Sequence, residues 1–232
     1  MDNLFIGKNN IFGRYAQLMG YKCVSHNDIE KLDLNKYDRI IISAFSPINK
    51  RGITDDRLVE YIIGFGYRGK ITYISTMRIG SNEKRYEYYS NSKLRQENLL
   101  IKNFKKNVSI KRFPVVLENN SHQDTSGFAL HLKNGLQIGK VVFDVTPESS
   151  WYFVFIDDVF DRLFVQGHEC IICPFPIKVS DLKEFLTKIV DVKLEATKVH
   201  SEYPVAADFE YYVSNKLTTK QMILERMLNV LS

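Results

Sequence analysis

Short apolar runs alternate with amphipathic segments over residues 1–117. The runs NLFI, RIIISAF and KITYIST are almost continuously apolar, which is typical of strands buried on both faces of a parallel sheet. The segments IFGRYAQLMG and DDRLVEYIIGFG place apolar residues at helical spacing, and YEYYSNSKLRQENLLIKNFKK predicts a long helix before the strand SIKRFPVV. Because strands and helices alternate at this interval, the pattern predicts an α/β fold with a doubly wound parallel sheet.

The pattern becomes less regular after residue 118. LENNSHQDTSG is polar and predicts a loop, and KNGLQIGKVVFDV predicts a strand or a hairpin. WYFVFIDDVFDRLFV predicts a strand and then a helix, with Asp157 or Asp158 as its cap. Two more helices are predicted in VSDLKEFLTKIV and TTKQMILERMLNVL, capped by Ser180 and Thr218.

This change of pattern suggests two parts of the chain. We expect a core over residues 1–117. We expect a small, compressed lobe over residues 118–232, interleaved with the last strands and helices of the core.

Composition and charge exclude several functional classes. The 232 residues are 44% hydrophobic, and no apolar run reaches the roughly 18 residues that a membrane span needs, so we expect a cytoplasmic protein. The net charge is +5, and the dense basic run IKNFKKNVSIKR is interpreted as a solvated helix face rather than a patch for nucleic acid. Three cysteines, with a single CIIC pair, predict core thiols and no metal site.

The first strand runs into a turn with two glycines, Gly7 and Gly13, and Asn10 midway between them. A glycine-rich turn between a strand and a helix lets backbone N–H groups approach a pyrophosphate. Asparagine tolerates positive φ better than other non-glycine residues, so we expect the turn to survive with Asn10 in it, although the side chain narrows the space.

Tyr89 and Lys93 are four residues apart on the predicted long helix, which places them on one helix face. A nearby ammonium lowers the pKa of a phenol and makes it a better proton donor and acceptor. The preceding strand ends in Thr76, whose hydroxyl faces the ligand crevice if the strand is parallel. Arg78 and Arg85 follow Thr76 and are candidates for holding a substrate diphosphate.

In their order along the chain, these segments resemble the extended or atypical short-chain dehydrogenases/reductases, in particular the NAD(P)-dependent nucleotide-sugar epimerases, dehydratases and ketoreductases. FIGKNNIFGRYAQLMG resembles their opening strand, turn and helix, and LDLNKYDRIIISAFSP resembles their fourth-strand segment. YIST, YSNSKLRQE and IKRFPVVL resemble the catalytic strand, the catalytic helix and the strand after it, and FVFIDDVFDRL resembles a C-terminal element. GYKCVSHNDIEKLDLN and IST look most similar to dTDP-4-dehydrorhamnose reductases. The resemblance implies a Rossmann-type fold with a C-terminal substrate lobe.

The resemblance also implies a role for each matching position. Tyr89 would be the acid or base, Lys93 would hold the ribose hydroxyls and tune Tyr89, and Thr76 would orient the substrate oxygen. NAD or NADP would be the cofactor, a nucleotide sugar the substrate, and the helix with Tyr89 a candidate homodimer interface. The implied cofactor-binding residues are Gly7, Asn10, Ile11, Gly13, Asn27, Ser43, Ala44, Phe45 and Lys93.

Two hypotheses follow. The first is an oxidoreductase or epimerase that acts on a nucleotide-linked sugar, with reduction of a keto-sugar by Tyr89 as the expected reaction. The second is a degenerate relative that binds a dinucleotide or a protein partner without turnover. Asn10, the 13 residues from Thr76 to Tyr89 and the small lobe motivate the second hypothesis. Met77 and Arg78 stand where dehydratases carry an acidic pair, so dehydratase activity is not expected.

Overall fold

The computed structural model describes residues 2–43, 56–80, 84–118, 127–194, 199–204, 206–214, 216 and 219–231. The strands are β1 (Asn3–Ile6), β2 (Lys22–Val24), β3 (Arg39–Ile42), β4 (Lys70–Thr76), β5 (Val108–Phe113), β6 (Val115–Leu117), β7 (Lys140–Phe143), β8 (Ser150–Trp151), β9 (Phe153–Phe155), β10 (Glu169–Ile172), β11 (Ile177–Lys178), β12 (Asp191–Leu194) and β13 (Glu210–Val213). The α-helices are α1 (Ile11–Leu18), α2 (Asp56–Phe65), α3 (Lys84–Phe104), α4 (Gly127–Gln137), α5 (Ile156–Val159), α6 (Val179–Leu186) and α7 (Lys220–Leu231). Short 3₁₀ helices cover His26–Lys31, Leu34–Lys36, Lys105–Asn107 and Phe160–Phe164.

Seven strands form one parallel sheet in the order β2-β1-β3-β4-β5-β10-β13. Successive side chains on these strands point to opposite faces, so both faces need cover. Leu4 and Ile40 pack with α2 and α3 on one face, whereas Phe5 and Ile41 pack with α1, α5 and the Phe160–Phe164 turn on the other. The predicted doubly wound parallel sheet is confirmed.

A third apolar cluster lies outside the sheet and joins the small two-stranded pairs to three helices. Strand β7 pairs with β12 in parallel, β8 pairs with β11 antiparallel, and β6 pairs with β9 in parallel. The helices α4, α6 and α7 contribute Leu132, Leu182 and Met227 to this cluster. Because β10 and β13 return to the main sheet, the chain after residue 118 contributes to both the sheet and this third cluster.

Opposite charges meet on the face of the sheet covered by the Phe160–Phe164 turn. The Lys111 ammonium, which is 0% exposed, lies 2.7 Å from the Glu169 carboxylate. The Arg162 guanidinium contacts the other oxygen of the same carboxylate. Lys111, Arg162 and Glu169 are called the Glu169 cluster below. Burial lowers the pKa of Lys111, the Glu169 carboxylate opposes that shift, and the charges of Arg162 and Arg39 add to it.

Proline divides one predicted strand. SIKRFPVV was expected to be continuous, but the structure has β5 before Pro114 and β6 after it. Strand β5 pairs with β4 and β10 in the main sheet, whereas β6 pairs with β9. Proline has no N–H to donate to a ladder, so the break falls at this residue.

The predicted strand or hairpin at residues 133–145 is wrong in its first half. Helix α4 continues to Gln137, and Gly139, with φ of 73°, ends it before β7 begins. The partner of β7 is β12, about fifty residues later in the chain, and no local hairpin forms. Glycine near a helix end is a C-terminal signal, and Gly139 has that role here.

Two predicted helix caps are also wrong. Asp157 and Asp158 lie in the first turn of α5, but both bind Arg226 of α7, at 2.7 and 2.5 Å. Ser180 lies inside α6, where the Asp181 carboxylate accepts from the N–H of Lys178 at 3.2 Å. The predicted cap Thr218 lies outside the described residues.

Candidate functional site

The strand order of the sheet reverses between β1 and β3. The chain leaves β1 toward β2 on one side and returns to β3 on the other, which opens a crevice at the carboxyl ends of β1 and β3. Ligands of parallel α/β sheets bind in such a crevice. Gly7 follows β1, Ser43 follows β3, and Thr76 ends the next strand, β4. Three of the predicted site segments therefore meet at this edge of the sheet.

The local geometry requires both glycines of the first turn. Gly7 has φ of 117°, a conformation that L side chains rarely adopt, and its N–H donates to the carbonyl of Val24 at 2.9 Å. A Cβ on Gly13 would lie 2.7 Å from the Cα of Lys8 and would collide with the Gly7 carbonyl oxygen. Gly13 therefore lets α1 approach the end of β1 closely, as a tight strand–turn–helix junction needs.

Asn10 precedes α1 with φ of −95° and ψ of 173°, an extended conformation that any residue adopts. The expected reason for asparagine, tolerance of positive φ, is therefore wrong. Its Oδ1 instead accepts a hydrogen bond from the N–H of Gly13 at 3.0 Å, which caps the helix. Its Nδ2 donates to the carbonyl of Ser43. Asn10 thus links the turn after β1 to the end of β3.

The remaining predicted cofactor positions are only partly described. The N–H and the hydroxyl of Ser43 both donate to the Ile6 carbonyl, at 2.9 and 3.0 Å, and Ile11 is the first residue of α1. Ala44 and Phe45 lie outside the described residues.

Asn27 does not directly follow β2. That position belongs to Ser25, whose hydroxyl accepts from the N–H of Asn27 at 3.3 Å, and Asn27 itself is exposed. Contact of Asn27 with a cofactor stays a prediction.

Thr76 and Tyr89 come together at the carboxyl edge, where the Thr76 hydroxyl is hydrogen-bonded to the Tyr89 phenol. Thr76 Oγ1 also accepts from the N–H of Arg78 at 3.2 Å, which leaves the hydroxyl proton for Tyr89. Burial raises the pKa of Tyr89 to about 12, and the Thr76 hydrogen bond and the Arg78 charge oppose that larger effect. Tyr89 therefore keeps its proton at neutral pH.

Lys93 is buried one helical turn after Tyr89. Its ammonium donates to the carbonyl of Ile74 at 2.9 Å and lies 4.6 Å from the centre of the Tyr73 ring. Lys93 therefore fastens α3 to β4 beside Thr76. The positive charge that lowers the pKa of Tyr89 is that of Arg78, and tuning of Tyr89 by Lys93 stays a prediction.

The short connection between β4 and α3 is braced by its own side chains. The Ser90 hydroxyl donates to the carbonyl of Arg78 at 2.9 Å. The Arg78 guanidinium carbon lies 5.3 Å from the centre of the Tyr203 ring, which belongs to the third apolar cluster. Arg85 lies on α3, but its side chain lies outside the described part of the chain.

A buried ion pair positions the helix that carries Tyr89 and Lys93. Arg112 on β5 binds Glu97 on α3 through two hydrogen bonds, Nε to Oε1 at 3.0 Å and Nη2 to Oε2 at 2.6 Å. The pair gives Arg112 a structural role. The available signal was Glu97 itself, because a carboxylate four residues after Lys93 falls on the same buried helix face.

Two observations test whether these residues fit a dinucleotide. The first two N–H groups of α1, from Ile11 and Phe12, have no intrahelical acceptor, and the absence of a Cβ at Gly13 lets the start of α1 approach the end of β1 closely. The Ser75 hydroxyl, beside Thr76, is buried without a hydrogen-bond partner among the described residues. The turn after β1 and the ends of β3 and β4 thus fit a dinucleotide, except that the Asn10 side chain narrows the space between the turn and the end of β3.

The described residues contain neither a candidate metal site nor a membrane-spanning helix. No group of three or more His, Cys, Asp or Glu side chains there is arranged to hold a metal ion. None of the helices described is both long and apolar enough to cross a membrane.

The fold matches several solved structures. MoeE5, solved in complex with UDP-glucose and NAD, has a TM-score of 0.71 and 13% identity, over 100% of this chain and 97% of that chain. The NAD-dependent NDP-hexosamine 5,6-dehydratase TunA, involved in tunicamycin biosynthesis, has a TM-score of 0.69 and 14% identity, with the same coverage. UDP-glucose 4-epimerase from Thermotoga maritima, solved with UDP-glucose, has a TM-score of 0.61 and 14% identity, again with the same coverage.

Comparison of the sequence itself gave no match, either to a protein-family model or to a curated protein. At 13–14% identity the solved structures establish the fold alone. The narrower likeness to dTDP-4-dehydrorhamnose reductases stays a prediction. The chain has the Rossmann-type fold of the nucleotide-sugar epimerases and dehydratases, and the resemblance seen in its sequence is confirmed at the level of that fold.

Proposed function

We propose that this protein is an NAD(P)-dependent oxidoreductase or epimerase of a nucleotide-linked sugar, and that it reduces a keto-sugar. The observation that carries the proposal is the hydrogen-bonded pair of Thr76 and Tyr89 at the carboxyl edge of the sheet. Thr76 ends β4, and the Gly7–Gly13 turn follows β1, with the single strand β3 between them in the sheet. A proton donor and a dinucleotide turn at one edge are the two parts that reduction of a carbonyl needs.

The residues that would hold the dinucleotide come from the two strand ends and from α3. The N–H groups of Ile11 and Phe12 would bind the pyrophosphate, since the start of a helix favours negative charge. Gly13 gives the close approach there, Ser43 would line the nicotinamide ribose, and Lys93 would bind the ribose hydroxyls. When bound, the reduced cofactor would supply a hydride to the carbonyl carbon of the substrate.

Tyr89 would give its phenolic proton to the carbonyl oxygen as the alcohol forms. Its pKa of about 12 keeps the proton on Tyr89 at neutral pH, so the protonated form that a donor needs is present, but burial makes this phenol a weaker acid than a free tyrosine. The resulting phenolate is stabilised by the Thr76 hydroxyl and the Arg78 charge, because both already lower the pKa of Tyr89. Tyr89 is then reprotonated from solvent, so one hydride and one proton are consumed in each turnover.

Residues 118–232 would supply the substrate lobe, with Arg78 at its border. The Arg78 guanidinium lies over the Tyr203 ring, and its charge lowers the pKa of Tyr89, so it is close enough to the proton donor for a role in binding the substrate diphosphate. Arg85 would be its partner. NAD is the cofactor bound to MoeE5, and UDP is the nucleotide part of the sugars in the solved structures. We therefore propose NAD and UDP-sugars as the first ligands to test.

Titration with NADH and NADPH, followed by the fluorescence of the nicotinamide, tests the cofactor part of the proposal. Oxidation of the bound cofactor in the presence of a panel of UDP- and dTDP-linked 4-keto-sugars tests the reaction. We expect saturable binding of at least one cofactor and turnover on at least one sugar. Absence of binding by both cofactors would contradict the proposal.

Asn10 favours a second candidate, a protein that binds a dinucleotide or a protein partner without turnover. Its amide bridges the two strand ends and occupies space that a glycine would leave open. Saturable cofactor binding with no turnover on any keto-sugar, together with unchanged binding in Tyr89→Phe, would favour this candidate over the first.

A further inference from the structure

The Asn10 carboxamide uses both of its polar atoms across the switch point. Oδ1 accepts from the N–H of Gly13, in the first turn of α1, at 3.0 Å. Nδ2 donates to the carbonyl of Ser43, directly after β3. One side chain therefore bridges the turn after β1 and the end of β3. The crevice described above lies between them.

A phosphate at the start of a helix does chemically what Asn10 Oδ1 does here. Both place an oxygen against backbone N–H groups at the positive end of the helix dipole. A capping side chain and a bound phosphate therefore compete for the space at the start of the same helix. Asn10 lies between Gly7 and Gly13, whose backbones form the turn, so its side chain is at the place where the phosphate would bind.

We infer that Asn10 is an internal competitor of the dinucleotide and sets its affinity. The side chain must leave the Ser43 carbonyl, and in part Gly13, before a pyrophosphate reaches the N–H groups of Ile11 and Phe12. The free energy that each of these hydrogen bonds contributes is lost when the dinucleotide binds, so the dinucleotide binds more weakly. The inference rests on the proposed function, since it assumes that the turn accepts a dinucleotide.

Two substitutions separate the two hydrogen bonds. Asn10→Ser keeps an N-cap oxygen for Gly13 but is too short to donate to Ser43. Asn10→Gly removes both bonds and remains acceptable as a helix cap. Asn9→Ser is the matched control, because Asn9 is the exposed neighbour in the same turn.

The experiment is the dissociation constant of NADH and of NADPH, from nicotinamide fluorescence, for the wild-type protein and the three variants. We expect binding about threefold to tenfold tighter in Asn10→Ser and about tenfold or more in Asn10→Gly, from the usual net strength of one or two hydrogen bonds. Asn9→Ser should bind like the wild type. Thermal unfolding of each variant shows that the fold is intact.

The outcomes distinguish this inference from the proposed function. Binding by the wild type with equal or weaker binding in Asn10→Gly overturns the inference and leaves the proposed function standing. Binding by Asn10→Gly alone supports the inference in its strongest form. Binding by none of the four proteins overturns the cofactor part of the proposed function, and the inference with it.

Discussion

Two regions of the molecule bury polar side chains: the carboxyl edge around Thr76 and Tyr89, and the Glu169 cluster. The two regions differ in the partners that these polar groups find. In the cluster, one carboxylate directly contacts two cations. At the edge, Thr76 and Tyr89 are neutral hydroxyls joined by a hydrogen bond, and the Ser75 hydroxyl has no partner among the described residues. The cluster is thus held by charge pairing, although Arg162 Nε is buried without a hydrogen-bond partner in the described part of the chain. At the edge the unpartnered group is the neutral Ser75 hydroxyl, which retains hydrogen-bonding capacity for a ligand.

This contrast separates stability from activity, because a buried charge that loses its partner costs far more free energy than a neutral hydroxyl. Substitutions in the cluster should therefore change the unfolding free energy. Substitutions of the hydroxyl side chains at the edge should mainly change binding and turnover.

The largest expected effect is in the cluster. Glu169→Gln leaves the Lys111 ammonium and the Arg162 guanidinium side by side without an anion. We expect a loss of about 3–5 kcal/mol in the free energy of unfolding, as for other broken buried pairs. Urea denaturation measures it, with Asp28→Asn as the control, because the exposed Asp28–Lys31 pair should not contribute measurably. A loss below about 1 kcal/mol would show that water already reaches the cluster.

The next effect tests the edge. Tyr89→Phe removes the proton that the substrate oxygen receives, so turnover of a keto-sugar should fall about a hundredfold to ten-thousandfold. The matched control is Tyr88→Phe, which changes an exposed tyrosine on the same helix and should leave turnover unchanged. Cofactor oxidation at saturating substrate measures both. Full turnover in Tyr89→Phe would remove Tyr89 from the mechanism and break the contrast between the two regions.

A smaller effect is expected where the edge depends on close packing. Gly13→Ala places a methyl group against the backbone of Gly7 and Lys8, and overpacking of this kind costs about 1–3 kcal/mol. Gly64→Ala is the control, since its methyl group meets nothing within 4 Å and alanine in α2 should stabilise the helix by about 0.5–1 kcal/mol. Thermal unfolding should move the two variants in opposite directions. Equal shifts would contradict the close approach at Gly13.

The smallest effect is the pH dependence beside the Glu169 cluster. Burial lowers the pKa of His168, whose Nδ1 accepts from the N–H of Ile110 at 3.1 Å. In the unfolded chain His168 is protonated below about pH 6.5, whereas in the folded chain it stays neutral to a lower pH. The free energy of unfolding should therefore fall as the pH drops below about 6.5. Urea denaturation at pH 7.5 and pH 5 measures the fall, and His168→Asn should reduce it. An identical fall in that variant would assign the effect to other groups.

The main sheet was predictable because its strands are short apolar runs separated by helices. β1, β3 and β4 were all expected from such runs, and each was found. β13 was not expected, since Glu210–Val213 carries an acidic residue and two tyrosines with exposed or half-buried side chains. As an edge strand it pairs on one side only, so its sequence lacks the apolar run that marks a central strand.

The positions of the candidate site residues were predictable, but not their contacts. The sequence placed Gly7 and Gly13 in the turn after the first strand, Thr76 at a strand end and Tyr89 on the long helix, as the structure has them, and their roles in binding and catalysis stay predictions. The bridge from Asn10 to Ser43 joins positions 33 residues apart, and the pair Asp158–Arg226 joins positions 68 residues apart. Contacts between such distant positions depend on the packed fold, so the sequence pattern could not predict them.

The order of the last two strands has a consequence for synthesis on the ribosome. β10 ends at Ile172, but its partner β13 begins only at Glu210, after two small strands and a helix of the third apolar cluster. Until residue 213 has left the ribosome, one edge of β10 presents unpaired N–H and C=O groups, which are a template for pairing with another chain. Slow translation between residues 173 and 209 would therefore prolong the aggregation-prone stage of the nascent chain.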